Sequence, residues 1–173
     1  MATLLDVHGD PAPEQGWPEP VERVSAFLRD AGAEARLEEF PVGTPTARAA
    51  AEAVGCELSR IVKSIILQAD GRAVVALVPG DRRADTAKVA KAVGAVSAKT
   101  AGPDEVEAAT GFAPGAVAPF PLHRVDRVLV ERTLLVHDIV WIGAGSDRHM
   151  AGLAPAELVR LARAEPVDIV EDD

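Results

Sequence analysis

The chain has one cysteine, Cys56, among its 173 residues, and it has no long apolar run. A single thiol excludes an internal disulfide framework, so a reducing cytoplasm is the expected location. The apolar runs fall far short of the roughly 20 residues that a transmembrane helix needs. The opening residues, Met1 to Asp6, lack the basic and then apolar plan of a signal peptide. These absences predict a cytoplasmic protein without a membrane partner.

Positive charge is also scarce: 18 Lys and Arg residues stand against 27 Asp and Glu, a net charge of −9. This balance argues against nonspecific electrostatic binding along a nucleic acid, but a few suitably positioned residues could still bind a short RNA end. The histidines fit no metal-ligand spacing, and no Gly-Lys-Ser/Thr phosphate loop is present. We expect neither a metal nor a cofactor. Cys56 lacks a C-x-x-C partner, which favours a packed thiol over a nucleophile.

Length and composition predict one folded domain over residues 20–170. Residues 1–19 are predicted to be a loosely ordered N-terminal arm, and residues 171–173 a solvated acidic tail. Helices are predicted at 20–32, 46–54, 85–94, 103–111 and 155–162, from their caps, prolines and glycines. Strands are predicted at 35–40, 95–98, 127–131, 134–137, 139–142, 149–153 and 167–170, with a hairpin at 62–78. The class is α+β, with a mixed sheet that is barrel-like and surrounded by helices.

Lys63 is a charged residue inside the apolar run Ile61–Leu67. A buried ammonium is costly unless it has a partner or faces a cleft. The side chain either extends its head to solvent along the strand or lies in a pocket, where three donors could fix a phosphate, carbonyl or ribose oxygen. The residue alone does not decide between these two interpretations.

Two further segments are unusual. Residues 111–120 combine glycine, proline and two phenylalanines, which is typical either of a rigid connector or of backbone that approaches a ligand closely. Residues 143–149 place small residues after an apolar strand and lead to His149. Taken alone, His149 is more simply a core or surface histidine than a ligand-binding residue. Together, the three features suggest the walls of one pocket.

In this order, the segments resemble the YbaK/EbsC-like aminoacyl-tRNA deacylases, which are related to the editing domain inserted in bacterial prolyl-tRNA synthetases. The resemblance covers about residues 20–170. It rests on the following segments: Thr46-Ala47, Ile61-Val62-Lys63-Ser64, Thr110-Gly111-Phe112, the G-x-x-x-P element Gly115-Ala116-Val117-Ala118-Pro119, Trp141 to Ser146, His149, and Leu153 to Leu158.

The resemblance implies hydrolysis of the ester that joins a wrong amino acid to the 3′ adenosine of tRNA. Lys63 would take the place of the family's essential lysine, and Gly115 to Pro119 would hold the scissile carbonyl with backbone N–H groups. His149 would line the amino-acid pocket. Met150 stands where the cysteine-specific branch carries aspartate, which argues against that specificity. The implied catalytic residues are Lys63, Gly115 and Pro119, and the implied substrate-binding residues are Thr46, Ser64, Phe112, Ala116, Val117, Gly145, Ser146, His149 and Met150.

The first functional hypothesis is a trans-editing hydrolase for tRNA-Pro or small-amino-acid substrates. Alternatives are a non-catalytic module that binds tRNA or a synthetase, and a hydrolase of other small esters or amides. Because the chain is acidic, either a basic strip (Arg82, Arg83, Lys88 and Lys91) holds the tRNA acceptor stem or a synthetase delivers it. The expected oligomeric state is monomer or homodimer.

Overall fold

The computed structural model describes residues 3–6 and 16–173. The helices are α1 (Glu19–Asp30), α2 (Ala47–Val54), α3 (Thr86–Ala92), α4 (Pro103–Thr110) and α5 (Pro155–Ala162). The strands are β1 (Thr3–Asp6), β2 (Ala35–Glu39), β3 (Ile61–Ala69), β4 (Arg72–Pro79), β5 (Ala98–Thr100), β6 (Arg127–Glu131), β7 (Val140–Ser146), β8 (His149–Leu153) and β9 (Glu165–Val167). Short 3-10 helices lie at Leu58–Arg60 and Arg132–Val136. None of the helices in this described part has the length and apolarity to span a bilayer.

The strands form one mixed sheet in the order β1-β2-β8-β7-β3-β4-β6-β9, with β5 added beside β3. The pairs β3–β7, β4–β6 and β6–β9 are parallel, and the other pairs are antiparallel. The predicted α+β class with a mixed sheet is therefore confirmed. Within the predicted N-terminal arm, Thr3–Asp6 pairs with β2 as an edge strand, while residues 1–2 and 7–15 lie outside the described residues.

The local signals place most element ends correctly. Helix α2 begins after Thr46, whose hydroxyl accepts the N–H of Ala49 at 3.0 Å, and ends at Gly55 with φ +81°. This N-cap and left-handed C-cap satisfy backbone groups that a helix leaves unpaired. The predicted hairpin is strands β3 and β4, joined at Asp70 and Gly71.

The predicted strand at Leu134–His137 is wrong. Residues Arg132–Val136 form a 3-10 helix instead. The cause is the buried carboxylate of Glu131, which accepts the N–H of Thr133 at 2.8 Å and that of Ile169 at 3.0 Å. The strand predicted at 95–98 lies slightly later in the chain, as β5. In place of the strand predicted at 167–170, the structure has β9 (Glu165–Val167) and an isolated bridge between Val170 and Ala84.

Strand β4 is buried on both faces. Val75 and Leu77 pack into the core that holds α1 and α5, while Val74, Ala76 and Val78 pack into a second core with α3. A strand covered on both faces reads as a continuous apolar run, as β4 does. A third, smaller cluster lies under α2, near the end of β3 where Lys63 is found.

Candidate active site

A cavity of about 240 Å³ opens between α2, the start of β3, the loop after α4 and the strands β7 and β8. Of the residues implied by the family resemblance, it is lined by Thr46, Lys63, Ser64, Gly115, Val117 and Met150. The predicted meeting of Lys63 with the Gly115 segment around one cavity is therefore observed. Thr44, Pro45, Ala47, Ala50, Ile61, Val62, Ile65 and Gly143 also line it and were not predicted.

Lys63 stands on β3, one residue after the parallel pairing of Val62 with Ile142 on β7. Its Nζ donates a 2.6 Å hydrogen bond to the main-chain carbonyl of Arg82. Burial lowers the pKa of the Lys63 ammonium, the nearby Arg83 charge lowers this pKa further, and Asp81 partly opposes both effects. The amine thus lies at the cavity, held by one carbonyl, rather than extended into open solvent.

The opposite wall is the loop that follows α4. Its shape begins with Thr110, whose Oγ1 donates to Val106 O at 2.7 Å and accepts the Phe112 N–H at 3.1 Å. Gly115 then adopts φ +83°, a conformation that favours glycine. Within the described residues, the N–H groups of Gly115 and Val117 donate to no protein acceptor, whereas that of Ala116 donates to Ala113 O at 3.0 Å. Gly115 and Val117 both line the cavity.

Gly143 on β7 lies against this loop, at Val117. A Cβ atom at this position would lie 3.2 Å from the carbonyl oxygen of Val117, tighter than ordinary contact. Glycine in a strand often marks such a close backbone approach. The glycine in a predicted strand indicates such an approach, but the sequence alone does not identify the segment that approaches Gly143.

The third wall comes from α2 and the residues before it. The Thr46 hydroxyl is used as the helix cap, so this residue holds α2 in place while it borders the cavity. Ala47 and Ala50 are the helix residues at the cavity, and their small side chains leave its volume open. Thr44 is tied to the β7–β8 turn by Oγ1, which donates to Asp147 O at 3.1 Å.

Strand β8 separates two neighbouring predicted residues. Successive side chains on a strand point to opposite faces, so Met150 reaches the cavity while His149 does not line it. The His149 ring is buried, with Nδ1 2.6 Å from the hydroxyl of Ser146, and it packs edge-on against Trp17 at 5.2 Å. Burial lowers the pKa of His149, so the neutral ring is favoured. The placement corrects the prediction that His149 lines this pocket.

Other predicted residues also lie away from the cavity. Phe112 is buried in the main core, with the Arg23 guanidinium 4.7 Å above its ring. Pro119 borders a different cleft, beside Phe27. Gly145 packs against α1, because a Cβ there would lie 2.8 Å from the Pro20 carbonyl carbon. Ser146 bonds to His149, and Ala116 does not line the cavity. These residues support the walls instead of lining them.

Within residues 3–6 and 16–173, no three His, Cys, Asp or Glu side chains lie close enough to hold a metal ion. Cys56 lies on the far side of α2, in a shallow cleft with Arg60 and Asp138, and burial raises the pKa of its thiol. A raised pKa disfavours the reactive thiolate.

Comparison with known proteins identifies the family. The family model described as "Aminoacyl-tRNA editing domain" matches residues 42–161, which include every residue that lines the cavity. The chain belongs to the aminoacyl-tRNA editing domain family. The resemblance inferred from the ordered segments is thereby confirmed.

Two relatives of this editing domain differ greatly in length. It is 37% identical over 134 residues to the proline–tRNA ligase of Nitratidesulfovibrio vulgaris (strain DP4), covering 77% of this chain and 23% of that protein. It is 29% identical over 156 residues to the multifunctional Ser/Thr-tRNA deacylase ProXp-y of Escherichia coli (strain K12), covering 85% of this chain and 90% of that protein. This chain thus spans about a quarter of the ligase and most of the deacylase.

A solved structure agrees with the fold of the editing domain. The crystal structure described as that of a proposed trans-editing enzyme for prolyl-tRNA synthetase superposes with a TM-score of 0.84 at 33% identity. The superposition covers 91% of this chain and all of that one.

Proposed function

We propose that this chain hydrolyses mischarged aminoacyl-tRNA, cleaving the ester between the amino acid and the 3′-terminal adenosine. The observation that carries the proposal is the pairing of Lys63 with the free N–H groups of Gly115 and Val117 across one small cavity. Membership of the editing domain family supports the substrate class. The name of the E. coli relative, a Ser/Thr-tRNA deacylase, supports the reaction.

The reaction needs little more than positioning. An aminoacyl ester is already activated, so a water molecule held at the carbonyl carbon gains a large effective concentration. The water oxygen forms the new C–O bond, the ester C–O bond breaks, and the ribose oxygen takes up a proton. The products are the free amino acid and the uncharged tRNA.

The loop supplies stabilisation for the oxyanion that forms on the carbonyl oxygen. Backbone N–H groups that are fixed before the reaction cost no reorganisation, and each is commonly worth about 3 kcal/mol of transition-state stabilisation. In this chain, the N–H groups of Gly115 and Val117 are the proposed donors. Gly143 has no side chain, which allows the Val117 carbonyl to approach strand β7 closely.

Lys63 is proposed to orient the terminal nucleotide rather than to act as the base. Its Nζ has three donors, of which the Arg82 carbonyl uses one. The remaining donors can hold a ribose or phosphate oxygen at the cavity edge. Ser64, on the next residue of β3, also borders the cavity and can add a hydroxyl contact.

The name of the E. coli relative, a Ser/Thr-tRNA deacylase, favours a small amino acid in this cavity. Its volume is about 240 Å³, and Ala47, Ala50, Ile61 and Met150 give it apolar walls. Thr44 adds a hydroxyl group at the same wall. The proposed substrates are therefore alanine, serine or threonine esters on tRNA-Pro, or an ester of a non-cognate small amino acid on another tRNA.

The test is release of amino acid from a panel of mischarged tRNAs, measured for the wild type and for Lys63→Ala. The expected result is turnover of one or more small-residue esters by the wild type and loss of turnover in Lys63→Ala, with unchanged circular dichroism. Correctly charged tRNAs serve as the matched control. Binding of tRNA without release of any amino acid from the panel would overturn the proposal, and activity on free aminoacyl esters alone would indicate a different esterase.

A further inference from the structure

Two members of the predicted basic strip are covered by acidic residues near the end of this chain. The Arg82 Nη2 atom donates to the Glu171 carbonyl at 2.5 Å and lies 3.6 Å from an Asp173 carboxylate oxygen. Lys88 Nζ lies 2.7 Å from a carboxylate oxygen of Asp172 and 3.1 Å from one of Asp168. We call residues 171–173 the acidic segment.

One of these cations, Arg82, is linked to the candidate active site. Strand β4 ends where Pro79 pairs with Val62, and the Gly80 N–H donates to Ile61 O at 2.8 Å. The chain then turns so that the Arg82 carbonyl receives the hydrogen bond from Lys63. Arg82 therefore binds Lys63 through its main-chain carbonyl and the acidic segment through its guanidinium.

After Glu171, whose N–H donates to the Arg83 carbonyl at 2.9 Å, the acidic segment is held less firmly than the residues before it. Ile169 and Val170 are buried in the core beside α3, and the Ile169 carbonyl accepts the Asp85 N–H at 2.8 Å. In contrast, the side chains of Asp172 and Asp173 are 89% and 96% exposed. Ion pairs this exposed contribute little to stability, so a polyanion can replace them while residues 169–170 stay in place.

We propose that backbone phosphates of tRNA bind on Arg82 and Lys88 and that the acidic segment occupies their place in the free protein. The inference rests on the proposed function for the identity of the polyanion. The Asp172 carboxylate on the Lys88 ammonium makes the same charge-assisted hydrogen bond that a phosphate makes, and the Asp173 carboxylate forms an ion pair with the Arg82 guanidinium. The arrangement also accounts for how a chain of net charge −9 can hold RNA. Arg82 and the Lys88 donor that binds Asp172 become available to a ligand that displaces the acidic segment, while Asp168 and the Val170 carbonyl stay bound to Lys88.

The experiment measures filter binding of an uncharged tRNA-Pro transcript to the full chain at low and moderate salt. The variant is Asp172→Asn with Asp173→Asn. It should bind about threefold to tenfold more tightly than the wild type at low salt, because two competing charges are gone. The gain should shrink as salt rises, and the salt dependence should steepen because more phosphates are contacted.

A matched control separates a local effect from net charge. Asp104→Asn with Glu107→Gln makes the same change of charge on exposed positions of α4, and it should give a clearly smaller gain. Adding Arg82→Gln and Lys88→Gln to the Asp172/Asp173 variant should remove the gain, while thermal melts confirm that each variant folds.

The proposal is overturned by unchanged tRNA binding in the Asp172/Asp173 variant, by an equal gain in the α4 control, or by a gain that survives the combined Arg82→Gln and Lys88→Gln substitutions. Because the tRNA is uncharged, these results do not depend on ester hydrolysis. A wild type that binds tRNA but releases no amino acid from mischarged tRNA would contradict the proposed function and leave this inference standing.

Discussion

The Lys63 ammonium donates a 2.6 Å hydrogen bond to the main-chain carbonyl of Arg82, which fixes the amine at the edge of the cavity. The residue was unusual in the sequence because its charge lies in a buried strand. The structure relates that charge to two neighbours: a carbonyl that holds it and a loop that faces it across the cavity.

Two substitutions of Lys63 distinguish the effect of its charge from the effect of its compact shape. Lys63→Ala is expected to lower kcat about 100-fold or more, comparable to loss of an oxyanion-hole donor. Lys63→Arg keeps the charge but cannot reproduce the compact ammonium, so it should recover only part of the rate. Single-turnover deacylation at saturating enzyme measures both, and near-normal turnover in Lys63→Ala would remove the residue from the mechanism.

The pH dependence of the same reaction tests the role of Lys63. Burial lowers the pKa of Lys63, so the charged form is lost at lower pH than for an ordinary lysine. If the cation orients the nucleotide, enzymatic deacylation falls as pH rises through that lowered pKa; if the amine is the base, the rate rises over the same range. We expect the fall, after subtraction of spontaneous hydrolysis. In Lys63→Arg the alkaline fall should disappear, because arginine stays charged.

Gly143→Ala should displace the loop at Val117. The added Cβ would lie 3.2 Å from the Val117 carbonyl, so the loop must move by a few tenths of an ångström. We expect kcat to fall about tenfold through misplacement of the N–H donors, with KM little changed. The control is Gly102→Ala, where the nearest atom would lie 3.6 Å away, an ordinary contact. Equal rates for the two variants would show that the loop is only a connector.

Met150 should limit the size of the amino acid that enters. Its side chain lines the cavity and is almost fully buried. Met150→Ala is expected to shift the mischarged-tRNA preference toward bulkier residues and to lower the free energy of unfolding by about 2–5 kcal/mol. Met150→Leu nearly conserves volume and should cost less than about 1.5 kcal/mol. An unaltered preference profile in Met150→Ala would place the amino-acid side chain elsewhere.

The sequence identified much of this site because several signals are local. The Thr46 cap, the Asp70-Gly71 turn and the Gly115 conformation are each set by neighbouring residues. Other features depend on distant contacts. Glu131 makes residues 132–136 helical by binding Ile169, and the alternation of β8 allows only one of His149 and Met150 to face the cavity. Which of the two does so is decided by the partners on β2 and β7, which a single sequence does not give.

His149 should make the stability of the fold depend on pH, although it does not line the cavity. Burial lowers the pKa of His149 below the ordinary value of about 6.5, so the unfolded chain binds a proton that the folded chain does not. Stability from this group is therefore complete above pH 6.5 and is lost as pH falls through the lowered pKa. The melting temperature of the wild type should drop between pH 7 and pH 5. The drop should be smaller in His149→Phe, whereas His137→Gln should behave as the wild type does. Equal slopes in His149→Phe and the wild type would show that other groups cause the dependence.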